Sequence, residues 1–152
     1  MTLSDLITKL EAATEGSREL SDEVLLACGW VREGTRDPRL DCWRDPQGNV
    51  YDHWNDPHGR ATQVVPRPSP TESIDAALTL VPDDWGYVSV SMLRGGSSEA
   101  FMLEKDYSPP GDGHIDDEWS QWLEKAFHTS PALAICIAAL KEIGRASCRE
   151  RV

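Results

Sequence analysis

The chain has little of what marks several large functional classes. It has no apolar run long enough to cross a bilayer: its longest nearly apolar stretch, residues 131–140, is about half of the roughly 20 residues that a spanning helix requires. The first residues also lack the continuous apolar block of a secretory signal. Leu3, Leu6, Ile7 and Leu10 alternate with Asp5, Lys9 and Glu11 and so fall on one helical face. Basic side chains are scarce, 15 Lys and Arg against 26 Asp and Glu, for a net charge of -11. That deficit argues against a general affinity for DNA, RNA or anionic membrane, which depends on cations that displace counterions. No nucleophile elbow, P-loop, dinucleotide fingerprint or metalloprotease helix motif occurs, so no motif indicates catalysis.

What is present is the composition of an ordinary globular protein. With 152 residues, 39% hydrophobic and 27% charged, the chain is long enough to bury one core and too apolar for intrinsic disorder. The cysteines show no paired spacing, and with the absent signal this reads as free thiols in a reducing cytoplasm. Cys136, among Leu133, Ile135 and Ile137, reads as a small core hydrophobe.

Along the chain, residues 2–13 form an amphipathic helix that Glu15-Gly16-Ser17 breaks. Leu20 and Ser21 then read as staple and N-cap of a second helix, with Asp22 and Glu23 in its first turn and Gly29 as its stop. Leu40-Asp41-Cys42-Trp43-Arg44 meets Asn49-Val50-Tyr51-Asp52-His53-Trp54 across Asp45-Pro46-Gln47-Gly48, which predicts a small antiparallel meander. Residues 55–70 read as loop. Ser69-Pro70-Thr71-Glu72 has the form of a capping box opening a helix over 71–81. Residues 85–93 and Ala100-Phe101-Met102-Leu103 form a hairpin across Arg94-Gly95-Gly96-Ser97. Residues 118–128 fit an amphipathic helix or a final edge strand, and the spacing of Trp119, Trp122, Leu123, Ala126 and Phe127 favours the helix. Ser130-Pro131 caps a last helix that is apolar nearly all round and is therefore expected to be the most buried. The predicted class is α+β, a single-domain helix-sheet-helix sandwich around a small, mainly antiparallel sheet.

Two resemblances are carried by specific residues. Glu142-Ile143-Gly144-Arg145-Ala146-Ser147-Cys148-Arg149-Glu150-Arg151-Val152 resembles a translated sequencing adapter, which makes residues 142–152 a non-native tail and residues 1–141 the domain. Without that tail the net charge is -12, because its three arginines outnumber its two glutamates, and Cys28, Cys42 and Cys136 are the native cysteines. The second resemblance rests on several segments in order. They are Asp5-Leu6-Ile7 with Leu10-Glu11-Ala12-Ala13, Gly16-Ser17-Arg18-Glu19-Leu20, Gly29-Trp30, Thr71-Glu72-Ser73-Ile74-Asp75-Ala76-Ala77-Leu78 with Val81-Pro82, and Ser130-Pro131-Ala132-Leu133-Ala134 with Ala138-Ala139-Leu140-Lys141. Over residues 3–141 the chain resembles the phage ABA sandwich domain family. The resemblance implies helices on both faces of a small sheet and a phage or prophage gene expressed in the cytoplasm of a bacterial host. It supplies no reaction and no catalytic residues.

Three constellations are candidates for chemistry. Cys28, Cys42, His53 and His58 are zinc-type ligands, but the two thiols are far wider apart than a zinc knuckle's pair, so core thiols and surface histidines are the preferred reading. Asp112, His114, Asp116 and Asp117 gather hard oxygen ligands and an imidazole in one loop, the ingredients of a divalent cation site without the order of a calcium hand. Asp41, Asp45, Asp52, His53, Asp56 and His58 collect acid and base groups around the first hairpin, where a solvated face explains them equally. The six tryptophans exceed expectation, and Trp43 and Trp54 beside Asp52 on a polar hairpin suggest an interaction surface. The expected function is a non-enzymatic phage accessory protein that binds a host or phage protein, without a cofactor. The alternatives are a small-ligand or nucleotide-binding protein in phage-host conflict, or a metal-dependent hydrolase.

Overall fold

Thr2 opens the first helix. Its hydroxyl accepts from the Asp5 N–H at 3.1 Å while the Asp5 carboxylate accepts from the Thr2 N–H at 2.8 Å, which is a capping box. The helix it starts, α1 (Leu3–Ala12), buries Leu6 and Leu10. This computed structural model describes residues 1–34, 42–52, 65–81, 85–104 and 123–149.

The second helix, α2 (Arg18–Ala27), begins a turn earlier than the sequence suggests, because Ser17 is the N-cap and accepts from the Leu20 N–H at 3.2 Å. Ser21, read from the sequence as the cap, lies inside the helix and is fully buried. Its hydroxyl is spent on a tertiary contact, 2.7 Å from the Thr71 hydroxyl. The chain before α2 comes so close to this partner that a Cβ on Gly16 would stand 2.0 Å from the Thr71 carbonyl oxygen. At the other end Gly29 has φ +90°, the Trp30 N–H donates to the Leu25 carbonyl at 3.0 Å and the Gly29 N–H to the Leu26 carbonyl at 3.2 Å. These are the two bonds of a Schellman stop.

The strands fall into two antiparallel sheets. β1 (Val31–Glu33), β2 (Cys42–Arg44) and β3 (Val50–Tyr51) form the expected meander, in which Trp43 lies between Arg32 and Tyr51. Its turn is closed by Asp45, whose carbonyl accepts from the Gly48 N–H at 3.0 Å, and Gly48 takes φ +91°. Next comes α3 (Ile74–Leu78), shorter and later than the sequence suggests. Ser73 caps it, and Ser69 instead closes a turn whose carbonyl accepts from the Glu72 and Ser73 N–H groups. Thr71, expected in the first turn of the helix, faces α2.

The second sheet has the order β4 (Trp85–Met92), β5 (Ser98–Glu104), β6 (Leu123–His128). The β4–β5 hairpin is as expected. Over residues 123–128, the described part of the stretch read as helix or edge strand, β6 corrects the helical reading: Lys125 and Phe127 are exposed while Ala126 and His128 are buried, a period of two. Trp119 and Trp122, which carried the helical spacing, lie outside the described residues.

The last helix, α4 (Pro131–Arg149), starts at Ser130, whose carbonyl accepts from the Ala134 N–H at 3.0 Å. Each residue from Ala132 to Leu140 is at most 4% exposed. The cause is position: α4 packs against β5 and β6 and also against α1, α2 and α3, so it has partners all round. Small side chains permit the close approach. Ala100 and Ala126 are cross-strand neighbours in the second sheet, both buried, and Ala134, Ala138 and Ala139 lie on the helix. Burying each of the large residues Leu133, Ile135, Ile137 and Leu140 stabilises the fold by about 1.5–3 kcal/mol. The helix continues unbroken across residues 141 and 142, and Ile143 packs against the core. The protein is thus a single-domain α+β fold whose strands are divided between two small sheets and whose buried centre is a helix.

Candidate functional site

Five separate segments converge around a cleft of about 490 Å³. The Schellman stop after α2 brings Cys28 and Trp30 to one wall, and the meander turn brings Asp45, Pro46 and Gln47, with Tyr51 from β3, to another. Pro66 and Pro68 form a third side, and Thr79, Leu80 and Val81 after α3 a fourth, with Ile143 of α4 completing the lining. The volume is that of a small-molecule site, and the lining mixes apolar and aromatic side chains with the polar Asp45, Gln47 and Thr79.

The two aromatic rings are in contact, with centroids 4.8 Å apart and planes at 46°. The Tyr51 hydroxyl donates to Asp45 Oδ2 at 3.1 Å. Asp45 also accepts from the Gln47 N–H at 3.0 Å, the Asn49 N–H at 2.8 Å and the Asn49 side-chain amide at 2.8 Å. Partial desolvation pushes this carboxyl up, but the hydrogen bonds from Asn49, Tyr51 and Gln47 outweigh it and hold the group below the usual carboxylate range. Asp45 therefore stays charged at neutral pH and fixes both the turn and the tyrosine. Desolvation, together with the bond to Asp45, pushes the Tyr51 hydroxyl up. Desolvation likewise pushes the Cys28 thiol up to about 12, so this wall of the cleft carries a neutral thiol rather than a thiolate nucleophile.

Beside the cleft a guanidinium holds the meander to α2. Arg67 donates from Nε to Asp22 Oδ1 at 2.8 Å, from Nη2 to Asp22 Oδ2 at 3.1 Å, and from Nη1 to Asp52 Oδ2. Its backbone N–H donates to Asp52 Oδ1 at 3.0 Å, and the Asp52 N–H donates to the Val65 carbonyl at 2.8 Å. Asp52 takes φ +56°, a left-handed conformation that aspartate tolerates better than most residues. The guanidinium also lies over the Trp43 ring, 5.1 Å from its centroid. The hydrogen bonds that Arg67 donates to Asp22 and Asp52 hold its pKa above its ordinary value.

This arrangement changes the reading of the hairpin residues. Trp43, expected to offer an exposed indole, is 3% exposed and belongs to the core. Its neighbour in β2, Cys42, is buried as well. Asp52 is committed to Arg67. Trp54, the third residue of the expected surface, lies outside the described residues, as do Asp41, His53, Asp56 and His58. The expected cation ligands Asp112, His114, Asp116 and Asp117 also lie outside them. Cys28, Cys42 and Cys136 are free thiols. Among the described residues, no three of His, Cys, Asp and Glu are grouped as metal ligands.

Sequence reasoning missed the cleft itself. Trp30, Tyr51, Leu80 and Val81 carry no motif, and their only local signals are the helix stop before Trp30 and the turn before Tyr51. The chain matches no family model, no curated protein and no solved structure.

Proposed function

We propose that this protein binds a small molecule with a flat, largely apolar ring system in the cleft between the meander turn and the ends of α2 and α3, and that it acts as a binding protein rather than an enzyme. The observation that carries this reading is the Trp30–Tyr51 pair on a preformed wall that Asp45 fixes with four hydrogen bonds. No cationic side chain lines the cleft among the described residues, which favours the ring of a nucleobase-like ligand over its phosphates. The expected host-protein-binding role loses one of its two indoles with the burial of Trp43, while Trp54 lies outside the described residues. The resemblance to the phage ABA sandwich family and the free thiols support a phage accessory role in the cytoplasm of a bacterial host.

The test is a panel of planar heterocycles, quinoline and adenosine among them, titrated against the protein while tryptophan emission and thermal midpoint are followed. A concentration-dependent midpoint rise is expected. In a Thr79→Trp variant, in which an indole at an exposed lining position fills the mouth, the rise is expected to vanish. An identical response in wild type and Thr79→Trp contradicts the assignment of the cleft.

A further inference from the structure

The charge around the cleft narrows the ligand class further, on the premise that the cleft is a ligand site. Asp45 contributes a full negative charge to the lining, and its four hydrogen bonds come from neutral donors, so they distribute that charge without cancelling it. Arg67, between the lining residues Pro66 and Pro68, is already matched by Asp22 and Asp52, and Arg44, which precedes Asp45, is paired with Glu33 at 2.6 Å. The adjoining walls are the faces and edges of an indole and a phenol, whose π systems attract cations. Among the described residues the rest of the lining carries no cation: Pro46, Pro66, Pro68, Leu80, Val81 and Ile143 are apolar, and Cys28, Gln47 and Thr79 add only neutral groups. A net charge of -11 adds a long-range field of the same sign.

We infer that the cleft is selective for cationic aromatic ligands, in which a quaternary or protonated ring nitrogen lies near Trp30, Tyr51 and Asp45. The carboxylate acts on the ligand through its charge and not through a direct hydrogen bond, because its acceptor sites are occupied by the turn. The preference is therefore for a permanently charged or buried-charge cation rather than for a particular N–H donor. It is also a screened Coulomb preference that weakens with salt.

Three probes of one shape separate this inference from the premise: N-methylquinolinium (cation), quinoline at neutral pH (neutral) and naphthalenesulfonate (anion). Binding is measured by calorimetry on the full chain. N-methylquinolinium is expected to bind roughly three- to thirty-fold tighter than quinoline, with naphthalenesulfonate weakest. Raising the salt is expected to weaken the cation alone. Asp45→Asn, which removes the charge and part of the turn's hydrogen bonding, is expected to weaken N-methylquinolinium by a larger factor than quinoline. Quinoline binding as tightly as the cation, or a cation affinity independent of salt, overturns the charge selectivity and leaves the cleft assignment standing. No binding by any of the three overturns both.

Discussion

Replacing Thr71 with valine removes one hydroxyl at almost constant volume and tests the clamp that sets the start of α2. Thr71 is 1% exposed. Its hydroxyl donates to the Ser17 carbonyl at 2.9 Å, accepts from the Ser17 N–H at 3.1 Å and lies 2.7 Å from the Ser21 hydroxyl. The Thr71 N–H in turn donates to Ser21 Oγ at 3.2 Å, which leaves the Ser21 hydroxyl proton to point at Thr71. Valine thus removes a partner from the half-buried Ser17 N–H and carbonyl, the latter keeping the Ser21 N–H at 2.9 Å, and from the buried Ser21 hydroxyl. Each lost bond costs about 1 kcal/mol net, and more where the remaining group stays buried and unsatisfied, so the variant is expected to lose about 3–5 kcal/mol. Against a typical stability of about 5–15 kcal/mol that is a large share. Urea unfolding followed by circular dichroism reads it as a drop in midpoint at constant slope. Thr71→Ser, which keeps the hydroxyl, is expected to retain most of the stability. Thr71→Val combined with Ser21→Ala is expected to cost less than the two changes added, since they share one network. A loss below about 1 kcal/mol for Thr71→Val, or additivity in the cycle, refutes the clamp.

Gly16→Ala places a methyl against the Thr71 carbonyl and is expected to destabilise by at least about 3 kcal/mol in the same assay, because the obstacle is backbone and the neighbouring segment is fixed by Thr71. Arg67→Met removes the shared partner of Asp22 and Asp52 and the cation over Trp43. Because these groups are between a fifth and a quarter exposed, the expected loss is only about 1–2 kcal/mol, measured by urea unfolding, with an accompanying change in tryptophan emission. The Cys28 thiol gives a pH prediction. Its pKa is raised by burial from 9.0 to about 12, so across that window the unfolded chain releases a proton that the folded chain keeps. Stability is full below the lower value and falls as pH rises, by about 1.4 kcal/mol per pH unit for this thiol, and Cys28→Ser is expected to flatten the fall by that amount in denaturant titrations at stepped pH.

Local signals were legible where a residue's hydrogen bonds stay within its own segment. The stop at Gly29, the turn through Pro46 and Gly48, the β4–β5 hairpin and the Ser130-Pro131 start of α4 all take the expected form, and the all-round apolar character of α4 correctly marks the centre of the fold. Signals failed where a tertiary partner claimed the residue. Ser21 reads as a cap and Thr71 as the first turn of a helix, but they satisfy each other across 50 positions of sequence, and the helices instead start at Ser17 and Ser73. Trp43 has polar neighbours in sequence, yet Arg67 reaches over its ring from a segment that reads as loop. In β6 the helical spacing joins Ala126 and Phe127 to residues upstream, whereas cross-strand pairing with β5 imposes alternation, sending Ala126 and His128 inward. His128 shows how such a position is stabilised: Nδ1 accepts from the Ser130 N–H at 2.9 Å, so Nε2 carries the proton donated to the Ala13 carbonyl at 2.8 Å. The cleft was not legible because no one segment contains more than a few of its residues.

The central claim is that Trp30, Tyr51 and the turn at Asp45 form a ligand site, and chemical-shift mapping with N-methylquinolinium tests it most directly. The account predicts saturable shifts concentrated on the Trp30 indole N–H and the backbone amides of Gln47, Tyr51, Leu80 and Ile143, with little change in α1 or the β4–β5 hairpin. Saturable shifts centred elsewhere on the protein, or none at millimolar probe, would contradict it.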